Sequence, residues 1–299
     1  MKISRLTSCV LGLTVALASA ADAPKLTFKF ANANVPGAAE TWAAEINNHG
    51  VMVGQYQDSS GANHGYILRG KTLKTLDDPK GKDTALSGIN FNGPIAVVGA
   101  YINSAGNSIA FRYSPRTKQF TDIPNPPGAA SSNPGGMNDR GWIVGWYQDS
   151  NGNDHGFLLK GKKYTVLDVP GALATYAYGI NNQGDITLTW VDSNYLYEGA
   201  LYDGKTYQVI NVPGAPGGSE ASFINNQNDI TFWWLDSAGN THGALCTQCD
   251  SKGRKFYKFD YPKANLTVAN GINDKNAIVG QYQDENGAGP VSSFEATFK

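Results

Sequence analysis

Short apolar runs alternate with polar, turn-rich segments along the whole chain, and the alternation itself repeats. The stretch Tyr178-Gly179-Ile180-Asn181-Asn182-Gln183-Gly184-Asp185-Ile186 has five further copies, and the six are anchored at Ile46-Asn47, Ile89-Asn90, Met137-Asn138, Ile180-Asn181, Ile224-Asn225 and Ile272-Asn273, spaced by 43, 48, 43, 44 and 48 residues. A period of that size marks a stacked or circular repeat architecture.

Each copy resolves into four short strands. The first ends in the Gly-Ile-Asn motif, and Asn-Asn-x-Gly supplies a tight turn, since Asn and Gly tolerate the positive φ that β-branched residues resist. The second is Ile143-Val144-Gly145-Trp146-Tyr147 and its counterparts, the third Phe157-Leu158-Leu159, the fourth Tyr164 to Asp168. Four antiparallel strands per roughly 45 residues are the mark of a propeller blade, whose two faces are buried only against neighbouring blades. The last copy stops after its third strand, whereas Leu26 to Phe30, followed by Val35-Pro36-Gly37-Ala38, reads as an orphan fourth strand. The expectation is an all-β, six-bladed β-propeller of four-stranded antiparallel blades, closed by the N-terminal strand, occupying residues 21–299 as a single domain. Closure removes an exposed sheet edge.

The first twenty residues stand apart. Lys2 and Arg5, the apolar run Val10 to Leu17 and Ala18-Ser19-Ala20 read as a signal peptide, residues 1–20. Its apolar run is too short to span a bilayer, and no other stretch is longer. The expected product is secreted, extracellular or periplasmic, with no membrane insertion, and monomeric. With 35 Gly, 14 Pro, 33 aromatic residues and 16% charged residues, the composition suits an ordered, turn-rich β globule. The formal charge is −1, becoming −3 without the leader's two basic residues, and no Lys/Arg run is present; a nucleic-acid partner is therefore not expected.

The recurring Gly-Ile-Asn-Asn-x-Gly-x-Ile-Val-Gly-x-Tyr, Asp-Ser-x-Gly-x-x-His-Gly-Phe and Asp-x-Pro-Gly-Ala resemble the HAF-type repeats of bacterial extracellular proteins, over the chain from about Leu26 to Lys299. The resemblance implies export and a repeat β-fold, and carries no assigned reaction.

A symmetric ring builds a single site only by breaking its symmetry. Repeats four and five depart most: Leu188 and Phe232 stand where the other repeats have Gly, Glu198 replaces the His of His-Gly, and Tyr195 and Tyr197 enter the polar turn. Topology places the connection into each first strand and the turn between strands two and three on one rim. Trp42, Trp146, Tyr176, Tyr178, Tyr195 and Trp233 are the ligand-binding candidates there, flat surfaces for stacking on a sugar ring or planar metabolite. Packing between blades is the competing role for such aromatics. Glu45, Glu198 and Glu220 are the acid/base candidates. Two functions follow: a secreted scaffold binding a carbohydrate, small molecule or extracellular protein, or an extracellular lyase, hydrolase or cyclase with one active site at the channel mouth.

Other features have plainer readings. His64, His155 and His242 each follow Asp58, Asp149 or Asp236 by six residues; a pairing repeated around a ring fits a turn-fixing role better than one catalytic constellation. The turn from Asp149 to Asp154 offers oxygen ligands, so calcium is a weaker alternative to local side-chain to backbone bonding, and otherwise no metal or cofactor is expected. Cys246 and Cys249 are the pair left once Cys9 departs with the leader, and in an exported protein they read as a disulfide.

Overall fold

The computed structural model describes residues 26–284 and 289–299; the segment read as a leader lies outside them. The chain forms a β-propeller of antiparallel sheets. After β1 (Phe28–Asn32), the first four-stranded sheet is β2 (Glu40–Ile46), β3 (Val51–Gln57), β4 (Asn63–Arg69) and β5 (Thr72–Leu76). The second is β6 (Lys82–Ile89), β7 (Val97–Ile102), β8 (Ser108–Ser114) and β9 (Gln119–Asp122). The third is β10 (Ala129–Met137), β11 (Ile143–Asp149), β12 (Asp154–Lys160) and β13 (Lys163–Val166). The fourth is β14 (Ala174–Ile180), β15 (Ile186–Val191), β16 (Tyr197–Tyr202) and β17 (Tyr207–Val209).

The remaining strands form one eight-stranded sheet. It contains β18 (Ser219–Ile224), β19 (Ile230–Leu235), β20 (Thr241–Thr247) and β21 (Lys255–Phe259), then β22 (Ala264–Ile272), β23 (Ala277–Asp284), β24 (Ser292–Phe298) and β1. One parallel pair, Thr241 with Leu266, joins its two halves. The expected pairing of the first segment with the tail is present: Phe28 lies opposite Phe298 and Phe30 opposite Ala296. Phe28 and Phe30 pack on Phe259, Phe294 and Phe298 with ring centroids 4.4–6.0 Å apart, so the join is sealed by aromatic surface as well as a hydrogen-bond ladder.

Strand chemistry explains the packing. The glycine of Val-Gly-x-Tyr faces the aromatic of the third strand across the ladder: Gly54 and Tyr66, Gly99 and Phe111, Gly145 and Phe157, Gly280 and Phe294. A Cβ at Gly145 would meet the Asn133 carbonyl oxygen at 2.2 Å and the Phe157 ring at 2.8 Å. Repeats four and five invert the pair, Leu188 facing Ala200 and Phe232 facing Ala244, all fully buried. Summed volume across the pair is kept, which is the kind of exchange cores accept.

Among the described residues the buried apolar side chains form six clusters, each shared by successive repeats. One unites Ala277 and Val279 of the last repeat with Ala43, Ile46 and Met52 of the first. No repeat keeps a core of its own, as expected of a repeat architecture.

The Asn-Asn-x-Gly turns form as expected, with the fourth position left-handed in all six repeats: Gly50, Gly93, Gly141, Gly184, Asn228 and Asn276. They do more than turn. The backbone N–H of Asn92 donates to Asp139 Oδ1, Asp139 to Asn182, Asn182 to Asn226, Asn226 to Asp274 and Asp274 to Asn48, each at 2.8–2.9 Å. Asn48 Nδ2 completes the circuit to Asn92 Oδ1 at 3.1 Å. A belt of side-chain bonds thus links every repeat to the next on one rim.

The disulfide joins Cys246 of β20 to Cys249 in the loop that leads to β21, as the cysteine count predicts, with both residues fully buried. No helix among the described residues is long and apolar enough to cross a membrane.

Candidate functional site

The innermost strands β2, β6, β10, β14, β18 and β22 alternate buried and half-buried positions. Their alternate side chains, with those of the paired second strands, surround a cavity of about 300 Å³. Its walls are Trp42, Ala44, Gln55, Ala85, Ser87, Gly135, Trp146, Tyr178, Glu220, Ser222, Asn270 and Gln281 among others, so all six repeats contribute. Beneath it the innermost strands converge. A Cβ at Gly271 would come within 2.5 Å of Glu45 Cα, and one at Gly179 within 2.9 Å of Phe223 Cα, which is why small residues recur at that level.

The second strands reach the cavity through one position, the x of Val-Gly-x-Tyr. It holds Gln55, Trp146 and Gln281 at the cavity and Trp233 beside it, paired across the ladder with Trp42, Asn133, Val268 and Glu220 respectively. The following aromatic instead packs outward: Tyr56, Tyr147 and Trp234 stack on His64, His155 and His242 at 5.1, 5.1 and 4.6 Å. Adjacent strand-two aromatics therefore divide between facing the cavity and packing outward.

Aromatic side chains make one wall. Trp146 lies 5.9 Å from Tyr176 and 5.6 Å from Tyr178, and those two tyrosines stack at 6.3 Å. The Tyr176 hydroxyl donates to Asp154 Oδ2 at 2.9 Å, fixing the ring. Trp233 continues the wall and meets Tyr197 edge-on at 5.5 Å.

Glu220 sits between them. Trp233 and Tyr178 both donate hydrogen bonds to its carboxylate, yet burial dominates and its pKa is pushed up to about 7. Burial and the nearby Glu220 together hold the Tyr178 hydroxyl well above the ordinary phenol range. Ser222 Oγ, buried at the cavity wall, has no hydrogen-bond partner among the described residues.

Of the sequence candidates, Trp42, Trp146, Tyr178 and Glu220 line the cavity together, and Tyr176 and Trp233 adjoin it. Tyr195 does not line it: 78% exposed, it takes the place of the turn glycine, with φ of 63°. Glu45 is 3% exposed beneath the cavity, its carboxylate accepting the Ile89 N–H at 2.5 Å, and burial raises its pKa strongly. Glu198 is bonded by Asn211 Nδ2. That contact substitutes for the His clasp of other repeats, in which His64 bridges Asp58 and Asp77, His155 bridges Asp149 and Asp168, and His242 bridges Asp236 and Asp260. The second aspartates belong to the Asp-x-Pro segments, so the clasp ties each connection to its polar turn. Within that turn Asp149 Oδ1 accepts the Asn151 and Asn153 N–H groups at 2.8 and 2.9 Å. Among the described residues no group of three or more His, Cys, Asp or Glu is placed to hold a metal ion.

Sequence reading passed over Gln55, Ser222, Asn270 and Gln281, and noted Tyr197 only as a departure from the repeat. The signal for the glutamines was the x position itself, the one place in the second-strand motif that varies freely.

No protein-family model and no curated protein matches the chain. Among solved structures it is similar to AofleA from Arthrobotrys oligospora, at 14% identity and a TM-score of 0.53 over 90% of this chain and 82% of that one. It is similar also to SapL1 lectin in complex with alpha methyl fucoside, at 10% identity and a TM-score of 0.56 over 86% and 92%. A third likeness is the β-propeller domain of the Trilobed protease from Pyrococcus furiosus, at 12% identity and a TM-score of 0.51 over 86% and 95%. At these identities the likeness establishes the propeller fold.

Proposed function

We propose that the protein is an exported, monomeric, six-bladed propeller of the HAF-repeat type that binds a carbohydrate in its central cavity. The six-blade reading is supported by the single parallel pair at Thr241 and Leu266, which splits the eight-stranded sheet into two units of four, and by the cluster uniting last and first repeats. The observation that carries the binding reading is the cavity wall: Trp42, Trp146 and Tyr178 offer flat apolar faces, and Glu220, Gln55, Asn270 and Gln281 offer hydrogen-bonding groups beside them. That mixture suits a sugar ring, apolar on its faces and hydroxylated at its edge. A volume near 300 Å³ is at the lower end for ligand sites and fits one or two saccharide units. The likeness to SapL1, seen with a fucoside, is in keeping with a propeller used in this way. A glycan binding screen on the protein, repeated with Trp42→Ala, Trp146→Ala and Tyr178→Ala, tests it; each variant is expected to lose at least tenfold in affinity. Undiminished binding in all three would place the ligand elsewhere.

A second reading rests on Glu220. A carboxyl with a pKa of about 7 is matched to general acid or base work near neutrality. Glu220 is the only carboxyl among the cavity's lining residues, so a paired-carboxylate glycosidase lacks its second group there. Sustained product release from a polysaccharide, abolished in Glu220→Gln, would favour an enzyme over a binding module.

A further inference from the structure

We propose that the ligand carries a positive charge, and that the cavity takes an ammonium-bearing saccharide unit with Glu220 as its counter-charge and Trp42, Trp146 and Tyr178 as its walls. This rests on the carbohydrate reading and narrows it.

Three observations lead there. First, the cavity holds a carboxyl and no cation: none of its lining residues is Lys, Arg or His. The groups bonded to Glu220 are the Trp233 indole and the Tyr178 phenol, neutral donors that leave its charge uncompensated. A carboxylate removed from bulk water is costly unless paired. Second, the aromatic faces lack the partner that their counterparts elsewhere possess. Lys160 lies 3.6 Å from the centre of the Trp142 ring and Lys258 3.7 Å from that of Trp234, whereas among the described residues Trp42, Trp146 and Tyr178 have no such cation. Aromatic walls closing on a carboxylate are the arrangement that recognises organic ammonium groups, each face contributing through its quadrupole. Third, Gln55 and Gln281 line the cavity and offer side-chain amides to the hydroxyls of a saccharide.

The groups facing Glu220 bear on its titration. From β14 come Tyr176 and Tyr178, both held above the ordinary phenol range. Tyr197 comes from β16, Trp233 from β19, and Asn270 and Val268 from β22, none of them acidic carboxyls or bases. Beneath the cavity Glu45 is also held above the ordinary carboxylate range by burial, so the part of the pH dependence that belongs to Glu220 is the part lost in Glu220→Gln. A bound cation favours the ionised carboxyl, and affinity must rise as pH passes through 7.

Calorimetry on the intact protein tests this with four probes: glucosamine, N-acetylglucosamine, methyl glucoside and tetramethylammonium, the last keeping its charge at every pH. At pH 7, glucosamine is expected to bind at least fivefold more tightly than either neutral sugar. Tetramethylammonium affinity should rise about tenfold or more from pH 5.5 to 8, following ionisation of the carboxyl. Glu220→Gln, checked by circular dichroism, should lose both effects. Neutral sugars binding as well as glucosamine, with no pH dependence, would overturn the cation while leaving the carbohydrate reading intact. Tetramethylammonium binding with no response to any sugar would overturn the carbohydrate and keep the cation. Binding of none of the four would overturn both.

Discussion

The side-chain amide of Asn273 donates to the backbone carbonyl of Asn47 at 2.9 Å, spanning 226 residues of sequence. The same amide position in the third repeat, Asn138, reaches forward to Asn181 at 3.0 Å, so the last repeat treats the first as its successor. Asn273 also caps its own turn, its Oδ1 accepting the Lys275 and Ala277 N–H groups.

Removing that side chain takes one of two donors from the Asn47 carbonyl, which still accepts the Gly50 N–H, and leaves two turn amides without their acceptor. Asn273→Ala is expected to lower unfolding stability by about 2–4 kcal/mol, the cost of leaving several groups unpaired. Denaturant titration measures it. A change below about 0.5 kcal/mol would mean that the closing bonds contribute little to the ring.

Glu220 should weaken the unliganded fold. Its pKa is raised, so the folded protein holds a proton between about pH 4.5 and 7 that the unfolded chain has lost; stability therefore falls as pH rises across that window and stays low above it. Glu220→Gln keeps an acceptor for Trp233 and Tyr178 without the charge, and is expected to stabilise the protein at pH 8 by about 1–3 kcal/mol. At pH 4 the two proteins should melt alike. Equal melting temperatures at pH 8 would contradict the uncompensated carboxylate.

The His clasps impose a second dependence. Burial draws His64 and His155 down, but their aspartate partners outweigh it and raise both above the ordinary imidazole value. Their contribution is full below about pH 6.5 and is lost as pH rises through the raised values. Asp58, held low by Ser60 and the Ala62 N–H, and Asp149, held low by the Asn153 N–H, contribute above the ordinary carboxylate range and lose that contribution on strong acidification. Melting temperature should therefore decline on both sides of a slightly acidic maximum. His64→Gln with His155→Gln should flatten the alkaline limb around neutrality; an unchanged limb would show the clasps to be inert.

The propeller fold and the pairing of the leading segment with the tail were legible because the repeat spacing, the missing fourth strand of the last repeat and the leading Leu26 to Phe30 segment are facts of sequence order. The site was half legible. Trp42, Trp146, Tyr178 and Glu220 could be found because the strand order places the first strands and their neighbours around one rim, where large aromatic and acidic side chains stand out. Glu45 and Glu198 stand outside the cavity lining for a reason sequence order hides, because each is engaged by a group remote in sequence: the Ile89 amide 44 residues on, and Asn211 in the connection after β17. Tyr195 misled because only φ shows it standing in for a turn glycine. The exchange of Gly and aromatic for Leu188 with Ala200 and Phe232 with Ala244 was written in the sequence, but it becomes visible only when the ladder shows which residues are opposite.

Thr27 and Lys299 exchange backbone hydrogen bonds at 3.1 and 3.3 Å, which sets the two described ends side by side on an outermost strand. Anything fused to either end departs from the same perimeter spot, away from the axis. A short linker bridging them, with new ends opened in an exposed turn such as 150–152, would yield a circular permutant whose central cavity is left undisturbed.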